Sequence, residues 1–163
     1  LYESKLKKIV FDEDHFYYES ENLFCQLTIL DYLHTEKTIR LYSFDTECIN
    51  NYRDDYMELI SGLISITRGI LVNMTFKIYG LWPKQRPVIK LFLNNKVYVA
   101  VLKENGDWAD VAGLIKLLNK VIEDVKTNKS FFVIPMRDQD SNVFFISPNE
   151  KKVIKSIFEK IEK

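Results

Sequence analysis

Residues 88–125 read VIKLFLNNKVYVAVLKENGDWADVAGLIKLLNKVIEDV, and within them the apolar pattern changes character. Val88 to Leu93 and Lys96 to Leu102 are two apolar, β-branched runs that flank Asn94-Asn95. Asparagine tolerates the positive φ that a two-residue hairpin turn demands, so the pair predicts an antiparallel hairpin. Asn105-Gly106 then breaks the sheet. From there Val111, Leu114, Ile115, Leu118, Val121, Ile122 and Val125 recur at intervals of three and four. That spacing predicts a helix that buries one face, capped by Asp110, with Lys116, Asn119, Lys120, Glu123 and Asp124 toward water. A hairpin followed by a one-faced helix calls for a sheet to cover.

Working outward, the same two periods account for the rest of the chain. Toward the N-terminus, Tyr56, Leu59, Ile60, Leu63, Ile64 and Thr67 form a second helical stripe, with Asn51 or Asp54 as its cap and Gly69 as its limit. Ile70 to Ile78 alternates and predicts a long strand that stops at Gly80. Earlier still, Leu23 to Leu33 and Thr38 to Phe44 alternate and predict two antiparallel strands joined near His34-Thr35-Glu36-Lys37. Toward the C-terminus, Ser130 to Met136 and Asn142 to Ile146 predict two strands around the polar turn from Arg137 to Ser141. Ser147-Pro148-Asn149-Glu150 is the start of a capped helix, in which Ser147 and Glu150 satisfy each other's backbone N–H groups. The expected fold is α+β: one domain over residues 1–163, a largely antiparallel sheet, and about three helices packed mainly on one face.

Composition agrees with a globular protein. The 163 residues are 47% hydrophobic and 28% charged, which excludes a disordered or disulfide-stapled chain. The formal net charge is zero, but it is unevenly distributed: residues 1–60 hold six Lys/Arg against thirteen Asp/Glu, and residues 61–163 hold seventeen against ten. Leu59 to Phe76 has the length of a membrane span, yet a central Arg68 and several polar side chains argue against one. Two cysteines, Cys25 and Cys48, read as reduced thiols, so a cytoplasmic protein without membrane contact is expected.

Catalytic chemistry has little to build on. His15 and His34 are the only imidazoles, no CxxC, HxxxH or HExxH spacing exists, and the glycines are too isolated to form a phosphate loop. No metal, cofactor or catalytic residue is expected, and Trp82 and Trp108 read as core plugs at element ends. The sharper feature is acidic. Asp12, Glu13, Asp14, Glu19 and Glu21 surround His15, Phe16, Tyr17 and Tyr18. Carboxylates steer a cationic partner and tyrosines anchor it, so Asp12, Glu13, Asp14, Tyr17, Tyr18, Glu19 and Glu21 are the candidate partner-binding residues. The alternative is a nucleic-acid-binding module that uses Lys84, Arg86, Lys90, Lys96 and the Trp82 loop.

One further pattern spans Val97 to Pro148. A hairpin strand leads through Trp108-Ala109-Asp110-Val111 into Gly113-Leu114-Ile115-Lys116-Leu117-Leu118-Asn119, followed by Phe131-Phe132, the Asp138-Gln139 turn and Val143-Phe144-Phe145-Ile146. This order resembles small bacterial immunity proteins of polymorphic-toxin and contact-dependent growth inhibition systems. The resemblance implies a non-enzymatic protein that binds and neutralises a cognate toxin domain, often a nuclease, and it transfers no binding residue.

Overall fold

A computed structural model of the chain describes residues 40–81, 83–103, 106–135 and 140–161. In order, the elements are β1 (Leu41–Asp45), α1 (Tyr52–Ser65), β2 (Thr75–Tyr79), β3 (Val88–Leu93), β4 (Lys96–Val101), α2 (Val111–Glu123), β5 (Ser130–Pro135), β6 (Asp140–Ile146) and α3 (Pro148–Ile161). The class is α+β with antiparallel pairing throughout. That pairing is divided between two three-stranded sheets, β1-β6-β5 and β2-β3-β4. The expected strands from Leu23 to Leu33, and the part of Thr38 to Phe44 before residue 40, lie outside the described residues.

The hairpin forms as its turn chemistry requires. Asn94 and Asn95 both take positive φ, 49° and 62°, and Leu93 pairs with Lys96. Asn51 caps α1, its side chain accepting from the Arg53 N–H at 2.9 Å. At α3 the Ser147 N–H donates to Glu150 at 2.6 Å and the Glu150 N–H lies 3.4 Å from the Ser147 hydroxyl, the reciprocal cap that the sequence predicts. Glu150 also pairs with Lys129 at 3.1 Å.

One predicted strand is mostly something else. Residues 66–73 are turns, and only Thr75–Tyr79 is strand. Arg68 and Gly69 take positive φ, the Thr67 hydroxyl donates to the Ile64 carbonyl, and backbone bonds run from Ile70 to Thr67 and from Met74 to Leu71. These local bonds satisfy the backbone without a ladder, so the alternation of Ile70 and Val72 lay on a coiled segment.

Helix α2 is shared by both sheets. Its buried residues Leu114, Ile115, Leu117, Leu118, Val121 and Ile122 join a single core with Ile89, Leu91 and Tyr98 of one sheet and Phe131, Val143 and Phe145 of the other. Its position is set at three points. Asp110 is 8% exposed, and its carboxylate accepts from the N–H groups of Gly113 (2.9 Å) and Lys103 (2.8 Å). The Asp110 N–H donates to the Tyr56 hydroxyl of α1 at 3.0 Å. Midway along, the Asn119 amide pairs in both directions with the backbone of Phe131, at 2.7 and 2.9 Å, on the outer edge of β5. At the far end, Tyr98 of β4 donates to the Asp124 carboxylate at 2.5 Å, and Lys96 pairs with it at 2.8 Å.

Two helical glycines are explained by close approach. A Cβ on Gly62 would collide with the ring of Tyr42, closest to its Cζ, where β1 crosses α1. A Cβ on Gly113 would collide with the Asp110 carboxylate and with Leu102. Gly113→Ala should therefore destabilise, although in an open helix the same change stabilises by about 1 kcal/mol. Asp110→Ala should cost about 2–3 kcal/mol, combining a lost cap with unpaired buried donors. Urea unfolding checks both signs. Burial pushes the Tyr56 phenol up to about 12. A folded pKa above the unfolded value of about 10 contributes stability that is complete below that value and lost as pH rises toward 12. The unfolding midpoint should fall across that window, and Tyr56→Phe should flatten the fall.

Candidate protein-binding face

Register determines which side chains share a face of the β2-β3-β4 sheet. Phe76, Ile78, Ile89, Leu91, Tyr98 and Ala100 point inward, onto α1 and α2. The outward face follows by alternation. Thr75 stands beside Phe92 and Val97, Lys77 beside Lys90 and Val99, and Tyr79 beside Val88 and Val101. Val97, Val99 and Val101 are 55%, 51% and 59% exposed, a row of aliphatic side chains along an edge strand. Tyr79 is exposed as well, and so is Leu81 just beyond it.

The sheets differ in what covers them. On β1-β6-β5, Phe131, Val143 and Phe145 face the common core, while Phe132 lies on the opposite face under α3, with the ammonium groups of Lys151 and Lys155 at 4.4 and 5.8 Å from its ring. Strand β6 is buried on both faces from Ser141 to Ile146. On β2-β3-β4 no described helix lies on the outward side.

The electrostatics of the outward face are one-sided. Strands β2, β3 and β4 contain no Asp or Glu. Lys77 and Lys90 are direct cross-strand neighbours, and the Lys90 ammonium sits 5.2 Å from the Tyr79 ring centroid. The ammonium is thus stabilised by the ring's π face, not by a carboxylate.

The expected binding residues Asp12, Glu13, Asp14, Tyr17, Tyr18, Glu19 and Glu21 all lie outside the described residues. So does Trp82. The basic residues of the nucleic-acid alternative are dispersed: Lys90 is on the outward face, Lys84 and Arg86 are in the exposed loop after β2, and Lys96 is paired with Asp124. Trp108, expected to plug the core, is 41% exposed.

Elsewhere the described surface is chemically quiet. An open groove of about 390 Å³ lies between the end of α2 and the start of β5. Two of its polar side chains are engaged, Asn119 with Phe131 and Lys129 with Glu150. Among the described residues no three metal-ligating side chains converge, and no helix is long and apolar enough to cross a membrane. Cys48 is half-buried, and burial, followed by the nearby Asp55, Asp45 and Glu58, raises its thiol to about 11.

No family model, curated protein or solved structure matches the chain.

If the valine row faces solvent, replacing Val97, Val99 and Val101 by threonine should change stability by no more than about 0.5 kcal/mol per site. Leu91→Ala on the inward face should cost about 2–5 kcal/mol. Denaturant unfolding of the two variants separates the faces. A pKa two units above that of a free thiol leaves about a hundredfold less thiolate at neutral pH. Cys48 should alkylate correspondingly slowly in the folded chain, as followed by peptide mapping, and at the ordinary rate in urea.

Proposed function

We propose that the chain is a non-enzymatic protein-binding module, an immunity protein that binds and neutralises a cognate bacterial toxin domain in the cytoplasm. The observation that carries the binding reading is the outward face of β2-β3-β4, where Val97, Val99 and Val101 line up beside Val88, Phe92 and Tyr79. Fully burying a valine stabilises by about 1.5 kcal/mol, so three half-exposed ones offer about 2 kcal/mol to whatever covers them. A patch of this kind, bordered by polar groups, suits the apolar centre of an interface. The resemblance over residues 97–148 supports the narrower class. Its named residues Asp110 and Asn119 serve the scaffold, as motifs of a family with variable binding residues would.

The nucleic-acid alternative is weaker. A stacking platform needs planar rings in sequence, whereas the two rings of this face, Phe92 and Tyr79, stand in rows separated by Lys77 and Lys90, and Lys96 is neutralised by Asp124.

The acidic cluster from Asp12 to Glu21 is proposed as the contact for a cationic toxin. The protein should copurify with the toxin domain encoded beside it and protect cells that express that domain; failure of both defeats the reading. Reversing charge at Asp12, Glu13 and Asp14 should slow association and weaken its salt dependence in stopped-flow mixing. An unchanged rate would remove the acidic cluster from the interface.

A further inference from the structure

We infer that the outward face of β2-β3-β4 docks an acidic polypeptide segment, one that presents carboxylates between apolar side chains. The inference rests on the protein-binding reading and adds the chemistry of what is bound. Its starting point is the pairing of Lys77 with Lys90 in the centre of the face. Directly opposed side chains on neighbouring strands have Cβ atoms about 5 Å apart, and like charges at that separation destabilise a sheet. Among the described residues neither lysine forms a salt bridge, and the three strands offer no carboxylate. The fold therefore keeps two like charges side by side in the middle of the face, with Lys90 turned onto the Tyr79 ring, where a carboxylate brought from outside meets the positive charge of both lysines.

The flanking residues describe the remainder of the occupant. Val99 completes the lysine row, and the rows on either side end in Val97 and Val101. A cover that buried these valines and left Lys77 and Lys90 unpaired would bear the cost of two desolvated charges. A cover with negative charge at the centre and apolar groups around it gains from both. Three strands about 4.8 Å apart, each contributing about 17 Å of length, present about 250 Å², well short of the roughly 800 Å² per partner of a standard interface. The face thus fits a single extended segment. A second copy laid face to face is disfavoured, since it would set Lys77 and Lys90 against their own equivalents.

This surface has the opposite charge preference from the acidic cluster at Asp12 to Glu21, so a partner that engages both is itself dipolar.

The test uses the full chain and two labelled hexapeptides, one alternating phenylalanine with glutamate and one alternating phenylalanine with lysine, followed by fluorescence anisotropy. The acidic peptide should bind, weaken with salt, and lose about tenfold or more in affinity on Lys77→Glu. The same substitution turns a repulsive cross-strand pair into an attractive one, so the unfolding midpoint of the free chain should hold or rise, which separates lost binding from lost folding. Equal binding of the two peptides, binding of neither, or acidic-peptide binding that survives Lys77→Glu overturns the inference. Tighter binding of a thymidine decamer, lost with Lys77→Glu, also overturns it in favour of nucleic acid. A chain that binds neither peptide but still copurifies with a toxin domain removes this inference and leaves the protein-binding reading standing.

Discussion

The architecture depends on one buried carboxylate. Asp110 is almost withdrawn from water, and a charge in that position is tolerable only when its oxygens are satisfied. The two donors come from Lys103, just past the end of β4, and Gly113, in the first turn of α2. The backbone N–H of the same residue reaches Tyr56 on α1. Nearby, the Ala109 N–H donates to Thr46 and the Ile49 N–H to Asp107, tying the loop after β1 to the same junction. Displacing any one of these elements leaves a buried polar group unpaired, which costs about 1–3 kcal/mol. With its start held there, α2 is aligned further along by Asn119 on the edge of β5 and by Asp124 beneath Tyr98.

A helix fixed in this way serves two sheets at once, and the sheets divide the remaining work. In the β1-β6-β5 sheet the central strand β6 is buried on both faces from Ser141 to Ile146, and the α3 ammonium groups of Lys151 and Lys155 approach the outer ring of Phe132. The β2-β3-β4 sheet uses its inward face for the core, and among the described residues no helix covers its outward face. Apolar residues on that outward face contribute little to folding, so their presence there needs another account. The proposed protein binding supplies one, and in that proposal the opposed lysines give the face its charge preference.

Much of the scaffold was legible because the signals were local. The Asn94-Asn95 turn, the Asp110 cap, the stripe of α2 from Val111 to Ile122 and the Ser147–Glu150 box each involve residues within a few positions of their neighbours; the seventh predicted stripe residue, Val125, falls just past the end of the helix. Features that depend on distant neighbours were not legible. Nothing near Gly113 in sequence reveals that its missing Cβ makes room for Asp110 and Leu102, and nothing near Gly62 reveals Tyr42. The division into two sheets depends on β1 pairing with β6, about a hundred residues away. The run from Val143 to Ile146 hints at a strand buried on both faces, because it is apolar without alternation. The run from Val97 to Val101 is equally apolar, yet one of its faces is open to solvent, so composition alone cannot separate the two cases. Once the register is known, the parity of Val97, Val99 and Val101 against Tyr98 identifies the exposed face. The acidic cluster was the most visible feature of the sequence, and it falls outside the described residues.

Docking on this face requires that the valine row be open in the free chain. Methyl resonances of the full-length protein, recorded with a soluble paramagnetic probe, test this directly. Val97, Val99 and Val101 should broaden strongly, while Val121 and Val143 of the core should not. If the three strand valines prove as protected as the core pair, the outward face is already covered and cannot be the docking surface described.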